Sequence, residues 1–108
     1  MQSWNLQKLD VQPHQPQVLG SDEEGRVIVI ELPAGEALQE HQVHERAWLV
    51  VVGGKVEVVD SDGGSLDAGP GTLAAFDPNE SREVKASEDS RLLLLLSPWP
   101  GVGHPSQP

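Results

Sequence analysis

Apolar and polar residues along most of the chain follow the two-residue spacing of β-strands. The β-branched run Arg26–Leu32 and the alternating run Lys55–Val59 are the clearest examples. The apolar run Ala47–Val52 and the leucine run Arg91–Leu96 have strand length, and the leucine run predicts a strand buried on both faces. Three more short segments make about seven predicted strands: Ser65–Ala68, Thr72–Phe76 and Arg82–Ala86. No segment keeps a helical period, so the pattern predicts an all-β sandwich or barrel.

Turn residues and the two chain ends set the predicted domain limits. The stretch Asp60–Gly64 is typical of a hairpin turn, because glycine adopts positive φ at no steric cost. Residues 1–25 are polar and predict an irregular N-terminal arm that carries one or two edge strands. Residues 98–108 hold four prolines, which exclude a ladder strand, and predict an extended tail anchored by Trp99. The core of the single domain is expected over about residues 26–97.

The amino-acid composition limits which binding partners and which cellular compartment we expect for the protein. The chain has 108 residues, 17 acidic and 7 basic, with a net charge of −10. Phosphate backbones require a basic surface, so we expect no nucleic-acid partner. Cysteine is absent, which suits a reducing cytosol, and no signal peptide or membrane-length apolar run is visible. The sequence therefore predicts a cytoplasmic protein that does not bind a membrane.

Two segments carry recognisable spacing. Residues 35–54 read Gly35, five residues, His41, a short strand and then Gly53-Gly54. The second segment contains Gly71, Pro78, Asn79 and Arg82. Together they resemble the two motifs of the cupin family, Gly-x5-His-x-His-x3–4-Glu-x6-Gly and Gly-x5-Pro-x-Gly-x2-His, although the second segment has one extra residue before its proline. The resemblance implies a cupin-type double-stranded β-helix, also called a jelly-roll barrel.

The same resemblance implies four metal ligands, and one is present. His41 matches the first ligand, whereas Val43, Ala47 and Arg82 stand at the other three positions. One imidazole does not hold a divalent ion, and a guanidinium opposes it electrostatically. We therefore favour no metal or other cofactor. A divalent metal would require a β-bulge that turns His41 and His44 inward together, with Glu45 as the nearest third ligand.

The interior positions predict a small-ligand pocket. If His41 faces inward, strand alternation places Val43 and Ala47 on the same side. Arg82 would then bind a small anionic ligand through a carboxylate or phosphate group. The alternative is a surface ion pair between Arg82 and one of three acids: Glu80, Glu83 or Glu45.

In the run Ala47–Val52, the residues that alternate with the inward-facing ones predict an apolar outer face of the sheet. Trp48 and Val50 point away from the interior if Ala47 points into it. An apolar outer face needs a cover, and small cupins commonly pair through such a face, so we expect a homodimer. The alternative cover for Trp48 is the N-terminal arm.

Three functions remain open on the sequence. The first is a non-catalytic small-ligand-binding or sensory module with a degenerate metal site. The second is a metal-dependent cupin enzyme of dioxygenase or isomerase type that uses His41 and His44. The third is a structural or interaction protein without a ligand. No nucleophile constellation is visible, and the fold does not decide whether the protein is an enzyme.

Overall fold

Nine antiparallel strands make up the regular structure of the residues described. The computed structural model describes residues 1–22, 25–41, 46–60, 62–78 and 80–97, with the backbone alone for Asp22 and residues 39–41. The tail, residues 98–108, with Trp99 lies outside the described residues. The strands are β1 (Gln17–Asp22), β2 (Gly25–Leu32), β3 (Ala37–His41), β4 (Arg46–Gly53), β5 (Val56–Asp60), β6 (Ser65–Ala68), β7 (Leu73–Phe76), β8 (Arg82–Ala86) and β9 (Ser90–Ser97).

The strands form two facing sheets. The large sheet has the order β1-β2-β9-β4-β7 and the small sheet the order β3-β8-β5-β6. The all-β prediction is confirmed, and the seven predicted strands correspond to β2 and β4 to β9. β1 lies in the arm, where an edge strand was expected. β3 was missed because its sequence, Ala-Leu-Gln-Glu-His, has no β-branched residue to mark it.

The core lies between the two sheets and is built from alternate residues of β2 and of β4 to β9. In β9, Leu92, Leu94 and Leu96 are buried and belong to the core, whereas Leu93 and Leu95 are half-buried on the other face. The prediction that this run is buried on both faces is therefore wrong for the single chain. The other core members are Ile30, Leu32, Ala47, Leu49, Val51, Val56, Val58, Ala68, Phe76, Val84 and Ala86.

The two sheets have very different outer faces. On the large sheet, Trp48 and Val50 lie opposite Leu95 and Leu93, and Leu73 continues the row on β7. On the small sheet, Glu57 lies opposite both Lys85 and Asp67, so charges dominate. The alternation predicted for β4 is therefore present, with Ala47, Leu49 and Val51 in the core and Trp48 and Val50 outside it.

The N-terminal arm crosses the large sheet and is fixed there by Arg91. The guanidinium Nε of Arg91 donates to Oε1 of Glu31 on β2 at 3.0 Å. Its Nη1 donates to the backbone carbonyls of Leu6 and Leu9, at 3.1 and 2.5 Å. Val29, on this outer face, is fully buried, which places the arm over that part of the sheet. Trp48 lies opposite Leu95, four residues along β9 from Arg91.

Gly53 and Gly54, the glycine pair of the first motif, lie at the opposite end of the barrel from Arg82. Gly54 follows β4 with a φ of 85°. A Cβ at this position would overlap the carbonyl oxygen of Asp89 and the hydroxyl of Ser90. Only glycine meets both demands, the left-handed backbone and the close approach of the β8–β9 turn.

Candidate functional site

Arg82 is a charged residue in the interior of the barrel. Arg82, Val84 and Ala86 are the buried positions of β8, and the latter two belong to the core, so strand alternation turns the Arg82 side chain inward. Arg82 is only 5% exposed. Its neighbours across the small sheet are His41 on β3 and Asp60 on β5. The first strand residue after the second motif's turn thus carries a buried cation.

Apolar side chains of the large sheet face this cation. The Cζ atom of Arg82 lies 5.0 Å from the centroid of the Phe76 ring, a cation–π distance. Phe76 pairs with Ala47 across β7 and β4, and Ala47 pairs in turn with Leu96 on β9. All three are buried, so the guanidinium meets a wall without hydrogen-bond acceptors on its side chains.

The guanidinium is incompletely paired. No described residue accepts a hydrogen bond from Nη1 of Arg82, although that atom is buried. Burial lowers the pKa of Arg82, because an apolar environment disfavours the charged form, and the nearby negative charge of Glu80 opposes that shift. The Glu80 carboxylate is itself engaged, since its Oε1 accepts the backbone N–H of Asp77 at 3.0 Å.

The neighbouring acid on β5 is also engaged. Oδ1 of Asp60 accepts the backbone N–H groups of Asp62 and Gly64, at 2.9 and 2.8 Å. These bonds build the hairpin turn predicted from Asp60–Gly64, in which Gly63 has a φ of 82°. The carboxylate therefore stabilises the β5–β6 turn.

The surface ion pair considered for Arg82 is not observed among the described residues. Arg82 is buried, and Nζ of Lys85 lies 3.3 Å from Oε1 of Glu83, so Glu83 pairs on the outer face. Glu80 acts on Arg82 through its charge, and Glu45 lies outside the described residues.

The predicted pocket residues are only partly brought together. Arg82 and Ala47 face the same interior from opposite sheets, and the backbone of His41 is paired with that of Arg82. The structure describes only the backbone of His41, and Val43 and His44 lie outside the described residues. Trp48 and Val50 lie on the outer face, away from this site.

The described residues do not fit a metal ion. The position expected to supply a carboxylate is the methyl group of Ala47, and the position of the last imidazole is the buried guanidinium of Arg82. No group of three or more His, Asp or Glu among the described residues is placed to hold a metal. A fixed cation in the interior repels a second one, so this donor set suits an anion better.

Sequence reasoning named Glu80 as a neighbour of Arg82 but missed Phe76 and Leu96 as parts of the site. The alternation within β7 indicated that Phe76 shares a face with Ala74, but not which strand lies beside it. The register of β4 against β7 and β9 brings Phe76 and Leu96 next to Ala47, and that register is not readable from one sequence.

Comparisons with known proteins agree with this architecture. No protein-family model matches the sequence, and no curated protein matches it. Among solved structures, an RmlC-like cupin from Desulfovibrio desulfuricans superposes with a TM-score of 0.80 at 20% identity, over 90% of this chain and 96% of that one. A double-stranded β-helix protein from Klebsiella pneumoniae gives 0.77 at 16% identity, over 90% of each chain.

KdgF from a Halomonas species gives a TM-score of 0.72 at 23% identity, over 84% of this chain and 86% of that one. At such identities the likeness establishes the fold and leaves the function open. Among the described residues, no helix is long and apolar enough to cross a membrane. The two facing antiparallel sheets and these likenesses together show that the chain has a cupin-type double-stranded β-helix fold.

Proposed function

We propose that this domain is a non-catalytic binding module that holds a small anionic molecule inside the barrel, with Arg82 as its anchor. The observation that carries the proposal is the buried Nη1 of Arg82, which has no acceptor among the described residues. A buried charged donor without a partner costs about 1–3 kcal/mol or more. An anionic ligand would supply the missing acceptor and offset that cost.

The surroundings support binding over metal-dependent catalysis. Apolar walls with one convergent charged group describe a small-molecule pocket, and the wall here consists of Ala47, Phe76 and Leu96. The metal-dependent enzyme considered from the sequence, which uses His41 and His44, would have to hold its metal near the buried guanidinium of Arg82, and that cation opposes a metal ion electrostatically. A purely structural role would be better served by an apolar side chain at position 82.

Protein NMR tests the proposal with probes that differ in charge. The 15N-labelled full chain is screened against mixtures of small anions, neutral molecules and cations, and against zinc and manganese ions. Anions are expected to shift the backbone amide signals of Ala47, Phe76 and Arg82, while the amide signal of Glu57, farther along the outer face of the small sheet, stays unchanged. Shifts caused only by the metal ions, or no shift at these three amides, would refute the proposal.

We also propose that a second copy of the chain covers the free part of the large sheet's outer face. Leu73 is 59% exposed there, beside Val50 and Trp48. Two acids on or next to strands of this sheet are engaged, since Glu31 pairs with Arg91 and Asp77 pairs with Arg46. A chain of net charge −10 can approach its own copy most easily where acids are absent.

Two exposed leucines provide a matched test of this interface. Leu73 lies on edge strand β7 of the large sheet, and Leu66, 45% exposed, lies on edge strand β6 of the small sheet. Leu73→Glu is expected to shift sedimentation at micromolar concentration from dimer to monomer, whereas Leu66→Glu leaves the dimer intact. A monomeric native chain, or equal effects of both substitutions, would contradict the proposal.

A further inference from the structure

The charges around Arg82 indicate which chemical class of anion the site would bind. This inference rests on the proposed function, the binding of a small anion by Arg82. We infer that the ligand is a singly charged carboxylate with an apolar aliphatic or aromatic body, and that dianions such as phosphate esters are excluded. Three features of the site lead to this class: the number of cations, the free donor and the opposing wall.

The first feature is the count of charges. Arg82 is the buried cation among the described residues, and the negative charge of Glu80 acts on it. Because Glu80 already offsets part of the positive charge, a singly charged anion can supply the missing acceptor with the least added negative charge. A phosphate monoester carries about −1.5 to −2 charges at neutral pH, so it would leave uncompensated negative charge in an apolar interior. The net charge of −10 on the chain adds to that repulsion.

The second feature is the free donor. The Cζ atom of the guanidinium lies over the Phe76 ring, and that side of the group meets no hydrogen-bond acceptor on the ring. Its N–H groups point outward within its own plane, and Nη1 carries two of them. A planar carboxylate can accept N–H bonds from the edge of a guanidinium, which is the arrangement that arginine favours with carboxylates.

The third feature is the wall that the rest of the ligand would meet. Ala47, Phe76 and Leu96 lie side by side on the core face of the large sheet and present no acceptor or donor side chain. A hydroxylated or amide-bearing body would lose its bonds to water against this wall without replacement. An apolar body has no such bonds to lose and would gain from the same burial.

Calorimetric titration of the full chain with four probes tests this class. Benzoate is the singly charged probe, benzamide its neutral match, phthalate its doubly charged match, and inorganic phosphate the small anion. The native chain is expected to bind benzoate at least about tenfold more tightly than each of the others. Arg82→Met should lose the preference for benzoate over benzamide, while Arg82→Lys should retain part of it. Thermal melting of each variant confirms that it is folded.

The outcomes separate this inference from the proposed function. If phthalate or phosphate binds as tightly as benzoate in the native chain but not in Arg82→Met, the singly charged class is wrong and the anion-binding module stands. If benzoate and benzamide bind equally to the native chain and to Arg82→Met, both are wrong. If none of the probes binds at millimolar concentration, the inferred class is wrong, and the NMR screen decides the proposed function independently.

Discussion

Two arginines lie on opposite sides of the large sheet and differ in how their guanidinium groups are paired. Arg91, on the outer face, donates to the Glu31 carboxylate and to the carbonyls of Leu6 and Leu9. Arg82, in the interior, lies over the Phe76 ring, and its buried Nη1 has no acceptor among the described residues. The protein itself supplies hydrogen-bond acceptors for the guanidinium of Arg91. At Arg82 one buried nitrogen of the guanidinium has no acceptor among the described residues.

Because of this difference, the effect of a substitution on the free energy of unfolding can distinguish a structural arginine from a ligand-binding one. A paired, half-buried guanidinium stabilises the fold, so its removal should lower the free energy of unfolding. An unpaired buried guanidinium costs stability, so an apolar replacement should raise that free energy while the anion site is lost. The comparison therefore predicts opposite effects of one substitution at two positions.

The largest expected effect is at Arg91. Arg91→Met removes the Glu31 pair and the two bonds to the arm, and it leaves the Glu31 carboxylate partly buried. We expect a loss of about 2–3 kcal/mol, since bonds to charged groups contribute more than neutral ones. For a domain of this size that corresponds to a fall of about 10 °C or more in the melting temperature, measured by circular dichroism.

A surface arginine supplies the control for Arg91. Nη1 of Arg46 pairs with Oδ1 of Asp77 at 2.9 Å, but the Arg46 side chain is 45% exposed. Exposed pairs contribute about 0–1 kcal/mol, so Arg46→Met should change the melting temperature little. Equal losses in the two variants would show that Arg91 does not fix the arm.

The second effect has the opposite sign. Arg82→Met replaces a buried cation by an apolar side chain of similar length, next to Phe76 and Val84. We expect the free energy of unfolding to rise by about 1–2 kcal/mol in the absence of ligand, because similar replacements of buried charges are neutral or stabilising. Chemical denaturation measures it. A clear loss of stability would mean that the guanidinium has an acceptor, and it would break the comparison with Arg91.

The sequence was sufficient for the fold, but it left open whether Arg82 lies in the interior or forms a surface ion pair. Strand alternation in Arg26–Leu32 and Arg82–Ala86, with turn residues between the strands, predicted the all-β architecture that the structure confirms. Motif spacing placed Arg82 where the cupin motif has its last histidine, and the structure puts that residue inside the barrel. Local periodicity fixes which face a strand residue takes, and the prediction of the strands depended on it.

The contacts around the site were beyond the sequence because they depend on register between distant strands. Phe76 reaches Arg82 because β7 pairs with β4 and because β8 lies in the facing sheet, two facts that no local pattern carries. The role of Arg91 was missed for the same reason, since Leu6 and Leu9 are more than eighty positions away in the chain. The prediction that Leu92–Leu96 is buried on both faces failed because composition cannot tell one covered face from two.

A smaller effect is expected from the acid next to Arg82. Glu80→Gln keeps an oxygen that can accept the Asp77 N–H but removes the charge that competes with an incoming anion. Benzoate affinity is expected to rise by about two- to fivefold, or roughly 0.5–1 kcal/mol. Glu83→Gln is the matched control, because Glu83 pairs with Lys85 on the outer face and should leave the affinity unchanged. A weaker affinity in Glu80→Gln would show that Glu80 positions the ligand instead of opposing it.

The last prediction is the absence of a pH effect, and it decides between Arg82 and His41 as the anchor. Burial lowers the pKa of Arg82 in the folded chain, so its charge is a destabilising feature below that pKa, and stability is regained only as the pH rises through it. Arginine stays protonated in proteins at neutral pH, so both benzoate affinity and the stability gain of Arg82→Met should be constant from about pH 6 to 9. An imidazole anchor would lose its charge near its ordinary pKa of about 6.5. Calorimetry across this range therefore identifies the anchor: a constant affinity supports Arg82, and a loss of affinity on passing above neutral pH transfers the role to His41.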